Sequence, residues 1–316
     1  MAILLYHFGY RGDILVTGQN FALELQARFP GEPIDLMLRP RMREMEPVLA
    51  PLGLFQTFLW GEKPDFETTR SGYGRAYMLD ELVYPEGNLR TPFVKAGFEF
   101  RQHELQLAIS PEAAALAAPI RARLREAAAG RPLVFTQSDM MRKWHENFVR
   151  DFWERLDAIG HRVVMGPEEL LPGAGRPLTF LESAAVLAEG DLFCGIDSGI
   201  AHAAALVGLQ TILIPPVFLE TWISPTSYAN PFIPNSARRH ISMRPPEEKF
   251  CGDYLCLRPD GRGGIKSKSG NPLEIRCDWK KRFGFWKDEC CFLKITPERF
   301  FETARLVLEG RGLLEK

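Results

Sequence analysis

The chain has 316 residues, with 39 Lys and Arg against 40 Asp and Glu, and a formal net charge of −1. That balance offers no strongly basic face for general nucleic-acid binding, and no apolar run is long enough to cross a bilayer. A hydrophobic share of 46% with 25% charged residues is that of a soluble globular protein, and the length suits two domains of ordinary size.

The start, "MAILLYHFGYRGD", lacks a basic leader and a small-residue cleavage site, so it reads as a first strand and not as a signal peptide. "AILLYHF" (2–8) is continuously apolar, as a strand buried on both faces should be. "GYRGD" follows as a loop, and "ILVTGQNFALELQARFP" carries apolar residues at helical spacing up to Pro30. "PIDLMLRP" (33–40) reads as a second strand, which completes a βαβ unit. "FQTFLW" (55–60) and "RAYMLDEL" (75–82) supply further strand candidates. "SPEAAALAAPIRARLREAAAG" (110–130) reads as a helix closed by glycine, and the domain boundary falls at its end.

The pattern then restarts. "PLVFTQ" (132–137) is a strand, and "HENFVRDFWERLDAIG" (145–160) an amphipathic helix with Gly160 at its terminus. "HRVVMG" (161–166) is a strand, and "TFLESAAVLAEG" (179–190) a short helix with Thr179 as its cap. "DLFCGI" is a strand, 198–208 a helix and "QTILIPP" (210–216) a strand. This alternation predicts an α/β fold of two domains, 1–128 and 129–316. Each would hold a parallel sheet with helices on both faces, and a ligand cleft would lie between the strand C-terminal edges.

Three junctions carry the chemistry-bearing residues. In "DLFCGIDSGIAHAAALVG" a strand hands over to a helix through Asp197, Ser198 and Gly199, with His202 on the first turn. Ser198 or Asp197 can cap the helix, and Gly199 allows close approach of a ligand. The helix end, with unpaired N–H groups, suits a phosphate or diphosphate. The plainer alternative is a simple N-cap with a packed histidine beside it. In "QSDMMRKWHENF" (137–148), Ser138 lies at a strand end and Lys143 just before a helix, where a lysine can meet an anion as a point charge. The alternative is a solvated lysine beside a core tryptophan. "GYRGD" (9–13) is not a GxGxxG dinucleotide loop; it places Asp13 at a helix start, as a cleft-facing carboxylate or a capping residue.

Taken together, the three segments resemble the ADP-heptose–lipopolysaccharide heptosyltransferase family (glycosyltransferase family 9). "GYRGDILVTGQNFALELQARFP" is similar to the family's N-terminal glycine–aspartate loop and first helix. "RKWHENF" is similar to its lysine–tryptophan–proline element, with His145 where the family has proline. "DSGIAHAAALVG" is similar to its aspartate–threonine/serine–glycine–x–x–histidine signature. The likeness covers residues 1–30 and about 130–230, and is thin over 60–125, where acceptor contacts are expected.

The resemblance implies a GT-B fold, two Rossmann-like domains with parallel sheets facing an interdomain cleft. It also implies an inverting transferase with a nucleotide-diphosphate-sugar donor, ADP-heptose favoured. By matching position, Asp13 would be the general base and Lys143 would neutralise the diphosphate. Asp197, Ser198, Gly199 and His202 would surround the diphosphate and donor sugar. Ser138 falls where a phosphate-contacting hydroxyl is expected, and Glu169 lies one residue off the family's ribose-binding glutamate. No Asp-x-Asp pair sits in a suitable loop, so no cofactor is expected for the chemistry: a lysine and a helix end can stabilise the leaving diphosphate. The acceptor would be a lipopolysaccharide core, another cell-surface glycan or a protein side chain. Two alternatives stay open: a GT-B nucleotide-sugar epimerase or hydrolase, which turns over donor alone, and a non-catalytic nucleotide-sugar-binding module.

Five of the six cysteines fall between positions 251 and 291. Cys251, Cys256, Cys277 and Cys291 (or Cys290) would make four ligands for a structural iron or zinc. The spacing is looser than the paired CxxC knuckles of a zinc ribbon, which leaves buried thiols without metal as the other reading. Some family members that modify proteins carry a comparable iron–cysteine element. The segment 238–288 is rich in Lys and Arg, which reads as a solvated face or as contact with an anionic acceptor or membrane headgroups. The expected location is cytoplasmic, with peripheral contact at the inner face of the membrane.

Overall fold

The architecture comes from a computed structural model. It describes residues 2–9, 11–79, 93, 96–99, 101, 103–138, 146–166, 169–196, 198–214, 240–242 and 297–309. Two parallel sheets organise it. The first contains β1 (Ile3–His7), β2 (Ile34–Leu38), β3 (Thr57–Trp60) and β4 (Arg75–Met78) in the order β3-β2-β1-β4. The second contains β5 (Leu133–Gln137), β6 (His161–Met165), β7 (Leu192–Ile196), β8 (Thr211–Ile214) and β9 (His240–Ser242) in the order β6-β5-β7-β8-β9. Every pairing is parallel, which is why β1 and β5 read as unbroken apolar runs.

The helices, in chain order, are α1 (Arg11–Asp13), α2 (Gln19–Arg28), α3 (Glu46–Leu49), α4 (Lys63–Thr69), α5 (Pro111–Ala128), α6 (Glu146–Ile159), α7 (Phe180–Leu187), α8 (Gly199–Leu206) and α9 (Pro297–Leu308). Strand alternation divides the burial between faces. In β1, Ile3 and Leu5 pack with Phe21, Ala22 and Leu25 of α2, whereas Leu4 and Tyr6 pack with Phe66 of α4. In the second sheet, Val134, Leu192 and Cys194 meet α6 and α9 through Phe152 and Phe300, whose rings stack with centroids 4.3 Å apart. Leu133, Phe135 and Phe193 face the other way, toward α7 and α8. One apolar cluster runs from the α2 face of the first sheet to this inner face of the second.

Helix α5 follows the first sheet in the chain and packs against the second. Ser110 caps it, accepting from the Ala113 N–H at 3.2 Å. It lies against α7, where Arg121 donates to the Ala185 carbonyl at 3.0 Å, and Arg125 pairs with Asp191, just before β7, at 2.6 Å. The segment before it is held on α2. The Gln19 side-chain amide accepts from the Gln106 N–H (2.6 Å) and donates to the Gln106 carbonyl (2.9 Å), while buried Glu24 receives His103 at 2.9 Å and Arg28. The predicted Thr179 cap of α7 is present as a reciprocal capping box with Glu182.

Both helices end at their expected glycines. Helix α5 runs to Ala128 and leaves the right-handed region through Ala129, φ 50°, and Gly130, φ 83°. Gly160 directly follows α6 but takes no left-handed turn. A Cβ there would lie 2.6 Å from Val134 Cγ2 and 2.9 Å from the Pro132 carbonyl, so the residue is small to let α6 reach the sheet.

Candidate functional site

The first element of the site follows β1. His7, buried at the strand's C-terminal end, accepts the Gly9 N–H on Nδ1 at 3.0 Å. The chain then turns through Arg11–Asp13 and passes into a π-helical stretch, Ile14–Gly18, before α2. All five π-helical residues are buried, and a Cβ on Gly18 would lie 3.3 Å from the His7 ring. A π turn widens the helix by one residue, and such turns concentrate at functional sites. Here it immediately follows Asp13. The backbone of Asp13 is described; its side chain is not.

The second element is the β7–α8 junction. Ser198 is extended (φ −166°, ψ 166°), and its Oγ accepts the Ala201 N–H at 3.3 Å, a regular N-cap. Its hydroxyl donates to Gln137 Oε1 at 2.8 Å, so the ends of β5 and β7 are tied together. Ala201, Ala203, Ala204 and Ala205 are buried, and their small side chains let α8 sit close to its neighbours. His202 is buried on the same helix, its N–H donating to the Ser198 carbonyl at 3.1 Å.

These two elements meet. A Cβ built on Gly12 would lie 3.0 Å from His202 Cδ2, 3.1 Å from Gly199 Cα and 3.2 Å from Gly199 N. A Cβ built on Gly199 would lie 3.1 Å from Gly12 N and 3.2 Å from Arg11 Cβ. The glycine turn after β1 therefore abuts the N-terminus of α8, with backbone against backbone. The first-turn N–H groups of α8 and its positive dipole end favour an anion by roughly 0.3–1 kcal/mol where it can approach. Arg11 is held by an ion pair with Glu44.

A third group gathers at the ends of β5 and β6. The Ser138 N–H donates to the Met165 carbonyl at 3.0 Å, and the Glu169 N–H to the Gly166 carbonyl at 3.2 Å. A Cβ on Gly166 would overlap Ser138 Oγ and fall 2.9 Å from Glu169 Cγ, so both side chains converge over this glycine. Ser138 adjoins Gln137, which joins this group to Ser198 through the strand end.

The structure thus brings the Asp13 turn beside Ser198, Gly199 and His202, with Ser138 and Glu169 along the same sheet edge. Lys143, Asp197 and the cysteines Cys251, Cys256, Cys277, Cys290 and Cys291 lie outside the described residues. Among the described residues no group of three or more His, Cys, Asp and Glu could hold a metal ion. Cys194 is fully buried, and burial pushes its thiol pKa well above the usual range. Sequence reasoning missed Gln137. Its only signal is a polar residue closing an otherwise apolar strand, and its partner is 61 positions away.

No protein-family profile matches the sequence, and no curated protein does. Solved structures do. The dodecameric iron-containing heptosyltransferase TibC, in complex with ADP-D-β-D-heptose, aligns over 98% of this chain and 77% of its own, with TM-score 0.62 and 13% identity. A family 9 glycosyl transferase from Veillonella parvula DSM 2008 aligns over 98% and 97%, with TM-score 0.59 and 13% identity. The E. coli ADP-heptose lipopolysaccharide heptosyltransferase II aligns over 98% and 99%, with TM-score 0.53 and 13% identity. The chain has the fold of the heptosyltransferase-like glycosyltransferases. At this identity the likeness is one of architecture: the GT-B arrangement of two parallel α/β sheets. Among the described residues no helix is long and apolar enough to cross a membrane.

Proposed function

We propose that this chain is an inverting glycosyltransferase. It would move a sugar, heptose favoured, from a nucleotide-diphosphate donor such as ADP-heptose to a hydroxyl of a lipopolysaccharide core, another cell-surface glycan or a protein. One observation carries the reading: the Gly12–Asp13 turn of the first sheet abuts the Ser198-capped N-terminus of α8 in the second. The fold shared with an ADP-heptose-bound heptosyltransferase supports the choice of donor.

In this reading the sheet edge carrying Ser138, Glu169, Ser198, Gly199 and His202 receives the donor, with Lys143 and Asp197 completing it. The division into an acceptor-side unit, 1–128, and a donor-side unit, 129–316, belongs to the same proposal. The acceptor oxygen attacks the anomeric carbon as the bond from that carbon to the diphosphate oxygen breaks. The acceptor proton passes to the Asp13 carboxylate, and the nucleoside diphosphate leaves with the bonding electrons. Charge grows on the diphosphate, where Lys143 and the N–H groups of α8 stabilise it, so the chemistry has no need of a divalent metal. The cysteine set Cys251, Cys256, Cys277 and Cys291 has the thiolate chemistry for one structural iron or zinc. The iron in TibC supports that assignment.

The test is a discharge assay with ADP-heptose, with and without candidate acceptors. Acceptor-dependent ADP release supports the transferase. Donor turnover that ignores every acceptor points to the epimerase or hydrolase, and binding without turnover to a sugar-nucleotide-binding module.

A further inference from the structure

Ser198 is fully engaged as a donor. Its one hydroxyl proton goes to Gln137 Oε1 at 2.8 Å, and its oxygen takes the Ala201 N–H at 3.3 Å. It has no proton left to offer an anionic oxygen. The other end of the same planar amide, Gln137 Nε2, carries two N–H bonds, is buried and has no partner among the described residues. Gln137 as a whole is only 2% exposed. Leaving such a donor unmet costs about 1–3 kcal/mol, and folded proteins rarely keep one without use.

The seat for this amide is built on purpose-sized neighbours. Gly195 on β7 faces it, and a Cβ there would lie 3.2 Å from Gln137 Oε1 and 2.9 Å from the Phe193 ring. The backbone of β5 fixes the other side through its register with Met165. The amide is thereby held with its oxygen on the Ser198 cap of α8. Its N–H₂ group, without a partner among the described residues, offers donors only, as do the first-turn N–H groups of α8, and donors complement an acceptor-only group such as a phosphate oxygen.

We propose that Gln137 is a ligand-binding residue of the donor site, its Nε2 donating to a diphosphate oxygen while its Oε1 sets the Ser198 cap. This rests on the donor-site reading above. Ser198 is then a residue that shapes the helix end, and Gln137 the neutral donor that meets the anion.

Calorimetric titration with ADP and with inorganic diphosphate tests the assignment on wild type, Gln137→Glu and Gln137→Met. The Glu variant keeps the acceptor for Ser198 and replaces the N–H₂ group by an oxygen; the Met variant removes both the donor and the Ser198 acceptor without adding charge. Each variant should lose about 10- to 100-fold in affinity for both probes, the usual reach of a hydrogen bond to a charged group. In wild-type protein the Gln137 side-chain amide resonances should also shift on adding ADP, a readout that needs no variant to fold. A folded Gln137→Met protein with wild-type affinity, or amide resonances unmoved at saturating ADP, overturns the proposal. Wild-type protein that binds neither probe overturns the donor-site reading with it.

Discussion

Gly12 and Gly199 touch backbone to backbone although 187 positions separate them, and neither has room for a methyl group without a shift of its neighbour. The contact sets how near the turn after β1 comes to the first turn of α8. Gly12→Ala should therefore force the two segments apart by a few tenths of an ångström. Overpacking of this kind costs about 1–3 kcal/mol. A lower melting temperature together with reduced transfer rate is the expected result. A variant with unchanged melting temperature and rate would show that the spacing here is not tight.

Tyr73 tests the electrostatics of the first sheet. Its hydroxyl donates to Asp35 Oδ2 at 2.7 Å, and burial first, then the Asp35 hydrogen bond and charge, raise its pKa from 10.0 to about 12. The folded value lies above the unfolded one, so this contribution to stability is complete below pH 10. It is lost as pH climbs from 10 toward 12. A spectrophotometric titration should show late-ionising tyrosines, Tyr73 and the burial-raised Tyr77 among them, and Asp35→Asn should return Tyr73 toward the ordinary range. Ionisation of every tyrosine at the ordinary value would contradict the pairing.

Cys194 should stay unreactive toward thiol reagents until the protein unfolds, because burial both shields the sulfur and disfavours the thiolate. The remaining cysteines separate two outcomes. If Cys251, Cys256, Cys277 and Cys291 hold a metal, elemental analysis finds about one iron or zinc per chain, and chelation lowers the melting temperature. Metal-free protein with the same melting temperature would leave them as plain thiols.

Much of the architecture was legible because parallel strands buried on both faces announce themselves. "AILLYHF", "PIDLMLRP", "PLVFTQ" and "DLFCGI" each contain an observed strand, and Thr179 caps α7 as read. What periodicity could not show is which glycines serve conformation and which serve approach. Gly160 reads as a helix terminator and does follow the end of α6, but its smallness also accommodates Val134, a neighbour only the fold supplies. The same limit hid Gln137. A lone amide at a strand end becomes meaningful only when Ser198 arrives against it. The π-helical turn Ile14–Gly18 was equally silent, since its residues keep an ordinary apolar helical spacing.

The role given to Asp13 is the central claim. Asp13→Asn preserves shape and capping ability while removing the basicity that would accept the acceptor proton. The measurement is the rate of sugar transfer by this variant, with its melting temperature and ADP affinity taken alongside. The account predicts a folded protein that binds ADP as wild type does and transfers about 10²–10⁴-fold more slowly, the range a positioned general base supplies. A transfer rate close to wild type would contradict it and leave Asp13 as a helix-capping residue.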